Sequence, residues 1–234
     1  MNVLAGYIAL LSIATTVVQI PYVDASSEAQ AISMVALEIE VVEKTRKACG
    51  KLIPEAKRAF DYQALQWQLG NRTEIEAVDS FLATTDQDEF NATMAPFLDA
   101  ATSVIETSIA ALGSERVCGA YAQQISTGDR NVKTHTPKAS AFLAAYVLDH
   151  PLSGEMAERY NMTTGCVLQH FNNGVDLDLA QSVCSCTTQV ILAEFSREEL
   201  DELDSVARAR GEVQSLASFV RVGPKLALCR PRDQ

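Results

Sequence analysis

Residues 165–186 read Gly165-Cys166-Val167-Leu168-Gln169-His170-Phe171-Asn172-Asn173-Gly174-Val175-Asp176-Leu177-Asp178-Leu179-Ala180-Gln181-Ser182-Val183-Cys184-Ser185-Cys186. Asn172-Asn173-Gly174 is a strong turn signal, because Asn and Gly accept the backbone conformations that a tight reversal needs. Before it, Met156, Tyr160, Cys166, Val167 and Phe171 recur at helical spacing, and Ser153 stands where a cap belongs. After it, Leu177, Ala180, Val183, Cys184, Ile191 and Phe195 do the same. The expectation is an antiparallel helical hairpin, in which residues equidistant from the turn stand level. Cys166 and Cys184 are equidistant from position 175 and come within disulfide reach.

Cys186 has nearly the same centre but points elsewhere. At about 100° per residue, Cys184 and Cys186 differ by about 200° around their helix and face opposite sides. They do not bond to each other in an intact helix, so each takes its own partner. With Cys184 facing Cys166, Cys186 is left for Cys229 in the tail, and Cys49 for Cys118. The main rival exchanges Cys184 with Cys186.

Working outward, the chain of 234 residues carries six cysteines behind an apolar leader. Val3 to Ile20 holds no charge, and the first Lys or Arg is Lys44. Val23-Asp24-Ala25 offers a cleavage site, so residues 1–25 are expected to be an export signal, with a retained N-terminal anchor as the alternative. Export leads to an oxidising compartment, secreted or periplasmic, where an even cysteine count reads as disulfides. A membrane enters only if the leader stays uncleaved, since no second run of spanning length follows.

Ser26-Ser27 caps a helix expected to run to Cys49, striped with Ile32, Val35, Ile39 and Val42. Pro54 opens the next, with Ala56, Phe60, Ala64 and Trp67 on one face and Gly70-Asn71 at its end. Thr73 to Glu76 has capping-box spacing before Ile75, Val78, Phe81 and Leu82. A long stripe from Phe90 to Leu112 contains Pro96, where a kink or break is expected. Val117, Cys118, Tyr121 and Ile125 share a further face. Residues 128–137 are polar, aperiodic and end in a proline, and they are read as a linker between an N-terminal helical subdomain (26–127) and a C-terminal one (138–234). Phe142, Leu143, Tyr146 and Val147 follow in a short helix ending near His150-Pro151. Ser196 and Glu199 form a second capping box, and Leu216, Phe219 and Val220 mark a last helix before Cys229. The fold class is all-α: an irregular multi-helix bundle stapled by disulfides.

The net charge of −11 weighs against nucleic acid, whose phosphates need clustered Lys and Arg, and against anionic membrane surfaces. No nucleophile elbow, zinc-protease helix, phosphate loop or haem-attachment motif occurs, so no catalytic residue and no cofactor are assigned, and an enzyme is the lesser expectation. Cys166 and His170 lie one helical turn apart, with Cys184 and Cys186 across the hairpin, which is a Cys₃His inventory for zinc. The opposed directions of Cys184 and Cys186 argue against that set in an intact helix, and disulfides are the default. His135 falls in the linker, and His150 follows Asp149 at a helix end, where the dipole favours it. Trp67 completes an apolar stripe and belongs to the core. Three N-x-T sequons occur, at Asn71, Asn91 and Asn161.

Glu198, Glu199, Asp201, Glu202 and Asp204 form an acidic run opposite Leu200 and Leu203. A solvated helix face is the plain account, and a face for a basic partner is the functional one. Together, the first functional expectation is an exported helical protein that binds a protein partner, inhibitor- or immunity-like. The alternatives are a carrier of a small apolar ligand or lipid, and a metal or redox protein using Cys166, His170, Cys184 and Cys186.

Overall fold

A computed structural model describes residue 25, residues 27–202 and residues 216–230, and among these the regular structure is helical with no strand. The leader, and the acidic run beyond Glu202 with Asp204, lie outside the described residues. The chain divides between Leu152 and Ser153 into two compact units.

In the first unit α1 (Glu28–Leu52) is central and packs against α2 (Lys57–Gly70), α3 (Arg72–Leu82), α4 (Gln87–Leu112), α5 (Ser114–Thr127) and α7 (Pro137–Asp149). The Ser27 hydroxyl caps α1 by accepting from Gln30 N. The helix continues one turn past Cys49, and Gly50 is buried inside it rather than stopping it. Being surrounded, α1 buries about half of its circumference: Ala31, Val41 and Thr45 join the expected Ile32, Val35, Val42 and Cys49, and so do the charged Glu38 and Arg46. A single-stripe reading assumes one covered side, which is why it leaves those two residues in solvent.

Phe60, Ala64 and Trp67 of α2 are buried as the stripe implies. Thr73 does not cap α3; the helix starts at Arg72 after Asn71, and Thr73 lies inside it. Asp86 caps α4 by accepting from Asp88 N and Glu89 N. Helix α4 runs through Pro96 as one element. It ends at Gly113, whose φ of 84° suits a residue without a Cβ. Cys118, Tyr121 and Ile125 of α5 point inward, and the Cys49–Cys118 bond sits in a cluster with Phe60.

The segment 128–137 is not a linker. It lies within the first unit and carries a short helix, α6 (Val132–His135). Its polar side chains and backbone groups meet partners in the core. Trp67 Nε1 donates to Arg130 O at 2.8 Å, Val132 N donates to Asn71 Oδ1 at 2.8 Å, and Arg130 pairs with Glu38 at 2.6 Å. Polarity there marks hydrogen-bonded burial, which lacks periodicity just as an exposed loop does.

The second unit is the expected hairpin with its tail. Helix α8 (Gly154–Asn172) is capped by Ser153 Oγ, which accepts from Met156 N. Gly174, at φ 94°, makes the turn, and Asp176 caps α9 (Leu177–Glu194) by accepting from Asp178 N and Leu179 N. Val167, Phe171, Leu177, Ala180 and Cys184 fill the seam. Helix α10 (Leu216–Leu226) returns against α9 and leads through a 3-10 turn (Ala227–Cys229) to the last cysteine.

Candidate functional site

The three disulfides are Cys49–Cys118, Cys166–Cys184 and Cys186–Cys229, with Cα–Cα distances of 5.6, 5.6 and 5.5 Å. No cysteine is free. The hairpin explains the second and third. Cys166 and Cys184 stand level across the turn, while Cys186 faces the other side of α9, where the tail returns.

That division splits the four-residue metal inventory. Cys186 is committed to Cys229, away from the others. Cys166, His170 and Cys184 do converge: their Sγ atoms and a ring nitrogen of His170 all lie within 4.8 Å of one another. Cys184 is buried, whereas Cys166 and His170 are half-buried. His170 is held there twice. It sits one turn after Cys166 on α8, and its carbonyl accepts from Val175 N as the chain reverses. In the oxidised chain the two sulfurs bind each other, so the cluster is a staple with an imidazole beside it.

The acidic run begins at a well-built turn. Ser196 N donates to Glu199 Oε2 at 2.7 Å and Glu199 N donates to Ser196 Oγ at 3.3 Å, the reciprocal pair of a capping box. Arg221 from α10 donates to Glu199 at 3.1 Å and lies over the Phe195 ring at 4.6 Å. Lys225 pairs with Glu194 nearby. The backbone bond at Ser196 and the Arg221 guanidinium hold the Glu199 carboxyl below the usual carboxylate range. Glu199 is thus structural, while Glu198, Asp201 and Glu202 are exposed.

The other singled-out residues separate clearly. His135 is half-buried; burial lowers its pKa, Arg130 adds to this, and Glu38 and Asp129 oppose it. The His150 ring lies 4.5 Å from Tyr146, and its carbonyl accepts from Ser80 Oγ at 2.9 Å. Of the three sequons, Asn91 and Asn161 are exposed but Asn71 is buried at 1% exposure. Its amide donates to Trp67 O and Asn131 Oδ1 and accepts from Val132 N.

Sequence reasoning missed the charged interior of the first unit. Arg46, 1% exposed, donates to Asp61 at 2.5 Å and to Glu43 at 2.6 Å. Glu74 is as deeply buried, accepts from Ser140 Oγ at 2.6 Å, and its Oε2 has no partner. No periodic signal could have found these residues, since Glu and Arg on a helix read as solvent-facing until the neighbours are known. No protein family, no curated protein and no solved structure matches the chain.

Proposed function

We propose that this chain is an exported, disulfide-stapled helical protein that acts by binding a basic protein partner, as inhibitors and immunity proteins do. The observation that carries the reading is the acidic turn after α9. A reciprocal capping box joins Ser196 and Glu199, Arg221 from α10 holds the Glu199 carboxyl, and Glu198, Asp201 and Glu202 are exposed beside them. Clustered carboxylates set up a field that speeds the approach of a cationic surface. The pairing of all six cysteines supports an oxidising compartment, and no described helix is long and apolar enough to cross a membrane.

The test uses the oxidised full chain against proteins of its native compartment. Wild type and a Glu198→Gln/Asp201→Asn/Glu202→Gln variant are compared by cross-linking and quantitative mass spectrometry. The reading expects a basic protein captured by wild type, weakened by the variant and by added salt. Equal capture by both forms, or no partner above background, overturns it. Glu199 is left intact because it caps its own helix.

A further inference from the structure

We propose that reduction of the Cys166–Cys184 disulfide opens a three-ligand zinc site made of Cys166 Sγ, His170 and Cys184 Sγ. The inference stands apart from partner binding and needs nothing from the acidic turn.

A zinc ion takes thiolate sulfur at about 2.3 Å and imidazole nitrogen at about 2.0 Å in a tetrahedron, which sets ligand atoms about 3.7 Å apart or less. The three donors already lie within 4.8 Å of one another. Two come from one face of α8, a turn apart, and the third from the level position on α9, so on reduction the two bonded sulfurs separate to about 3.7 Å and the imidazole closes by about 1 Å. Two thiolates and one neutral imidazole suit zinc in particular, because soft sulfur disfavours magnesium and calcium. Water fills the fourth position from the half-buried side where Cys166 and His170 reach solvent. Such Cys₂His-plus-water sets are the open kind of zinc site.

The chemistry balances. A dithiol reductant attacks the half-buried Cys166 sulfur and ends as its own disulfide, delivering two electrons and two protons that leave Cys166 and Cys184 as thiols. Zinc then displaces both protons, and two thiolates neutralise its two charges. In the oxidised chain the S–S bond occupies the same space, so staple and metal exclude each other. Either one ties α8 to α9. The other disulfides offer no such set: Cys49 and Cys118 lie in an apolar cluster with Phe60, and Cys186 and Cys229 have no histidine grouped with them among the described residues.

The full chain is titrated with Co²⁺ without oxygen, oxidised or reduced by a phosphine, which adds no competing thiol. The reduced chain is expected to bind one Co²⁺ with tetrahedral ligand-field and thiolate charge-transfer bands, displaced by Zn²⁺, and the oxidised chain to show neither. His170→Ala is expected to weaken binding about a hundredfold, at least the effect of losing an outer-shell partner. Circular dichroism of its oxidised form establishes that the variant folds. Alkylation in the presence of Zn²⁺, mapped by peptide mass spectrometry, is expected to spare Cys166 and Cys184 and to modify Cys186 and Cys229. The proposal is overturned if the reduced chain gives no tetrahedral spectrum or if His170→Ala binds as tightly as wild type. Even alkylation of all six cysteines, the result expected of a chain unfolded by reduction, overturns it equally.

Discussion

Asn71 shows how far one residue's surroundings can overrule its local pattern. As a sequon it resembles Asn91 and Asn161, yet it is 1% exposed and its amide joins α2 to the start of α6. Replacing it by alanine leaves the Trp67 carbonyl its bond from the backbone N–H of residue 71 but strands the Val132 amide, and a buried orphan costs about 1–3 kcal/mol. Asn71→Ala is therefore expected to lose about 1–3 kcal/mol in denaturant unfolding, and Asn91→Ala to stay within about 0.5 kcal/mol of wild type. Secreted from a glycosylating host, the folded protein is expected to carry glycan at Asn91 or Asn161 and none at Asn71, read by peptide mapping. A glycopeptide containing Asn71 from folded material would contradict this packing. Asn71 was legible only as the end of α2 and as a sequon, because its partners Asn131 and Val132 lie 60 and 61 residues further along the chain.

At the level of elements, the cysteines and most caps were readable, the Thr73–Glu76 box was not, and neither was buried charge. Ser27, Ser153 and the Ser196–Glu199 box act through bonds to neighbours three residues away, so their spacing carries the information. The Cys166–Cys184 pair was readable because a hairpin turns sequence distance into height along a helix. Glu38, Arg46 and Asp61 depend on what packs around α1 and α2, and no window along one helix contains that. One consequence is a pH dependence inside the bundle. Burial opposes ionisation of Glu43, but hydrogen bonds and charge from Arg46 and Lys47 prevail and hold its pKa below 4.5. A carboxyl lowered on folding adds stability that is present above its unfolded value and lost as pH falls through the folded one. Asp79 runs the other way: burial first, then the charge of Glu76, raises it above 3.8, so its ionised form disfavours the fold as pH rises. Unfolding followed from pH 7 to pH 3 should show Glu43→Gln less stable at pH 7 and converging on wild type below about pH 4.5. Asp79→Asn should be more stable than wild type at pH 7 and match it in acid. Parallel curves for both variants would remove the assigned causes. The disulfides differ in the loops they close, with sequence separations of 69 for Cys49–Cys118 and 18 for Cys166–Cys184. Loop entropy puts them at about 4.4 and about 3.2 kcal/mol. Cys49→Ala/Cys118→Ala is expected to cost its unit more than Cys166→Ala/Cys184→Ala costs the other, measured as the loss in unfolding free energy of each double variant.

Across the whole molecule, the cysteines divide as the packing does. Cys49–Cys118 closes within the unit ending at Leu152, and the other two bonds close within the unit starting at Ser153. The boundary was misread at 128–137 because aperiodic polarity describes an exposed linker and a hydrogen-bonded core segment equally well. The packing separates them: Arg130, Val132 and Thr136 are buried, whereas His150 and Pro151 are exposed. If 128–137 were the true joint, a chain ending at residue 127 would be self-sufficient, and it would lack Arg130 for Glu38, the acceptor for Trp67 and the amide for Asn71. A chain of residues 26–152 keeps all three, together with α7, which packs on α1 and α3. Residues 26–152 expressed alone are expected to form the Cys49–Cys118 bond, to give a helical circular dichroism spectrum and to unfold in one cooperative transition. Residues 26–127 are expected to fail the last of these, since they lack α7, which packs on α1 and α3, together with Arg130 for Glu38, the acceptor for Trp67 and the amide for Asn71. Cooperative unfolding of the shorter chain with the stability of the longer one would return the boundary to 128–137 and make the Trp67, Asn71 and Arg130 contacts incidental to the fold.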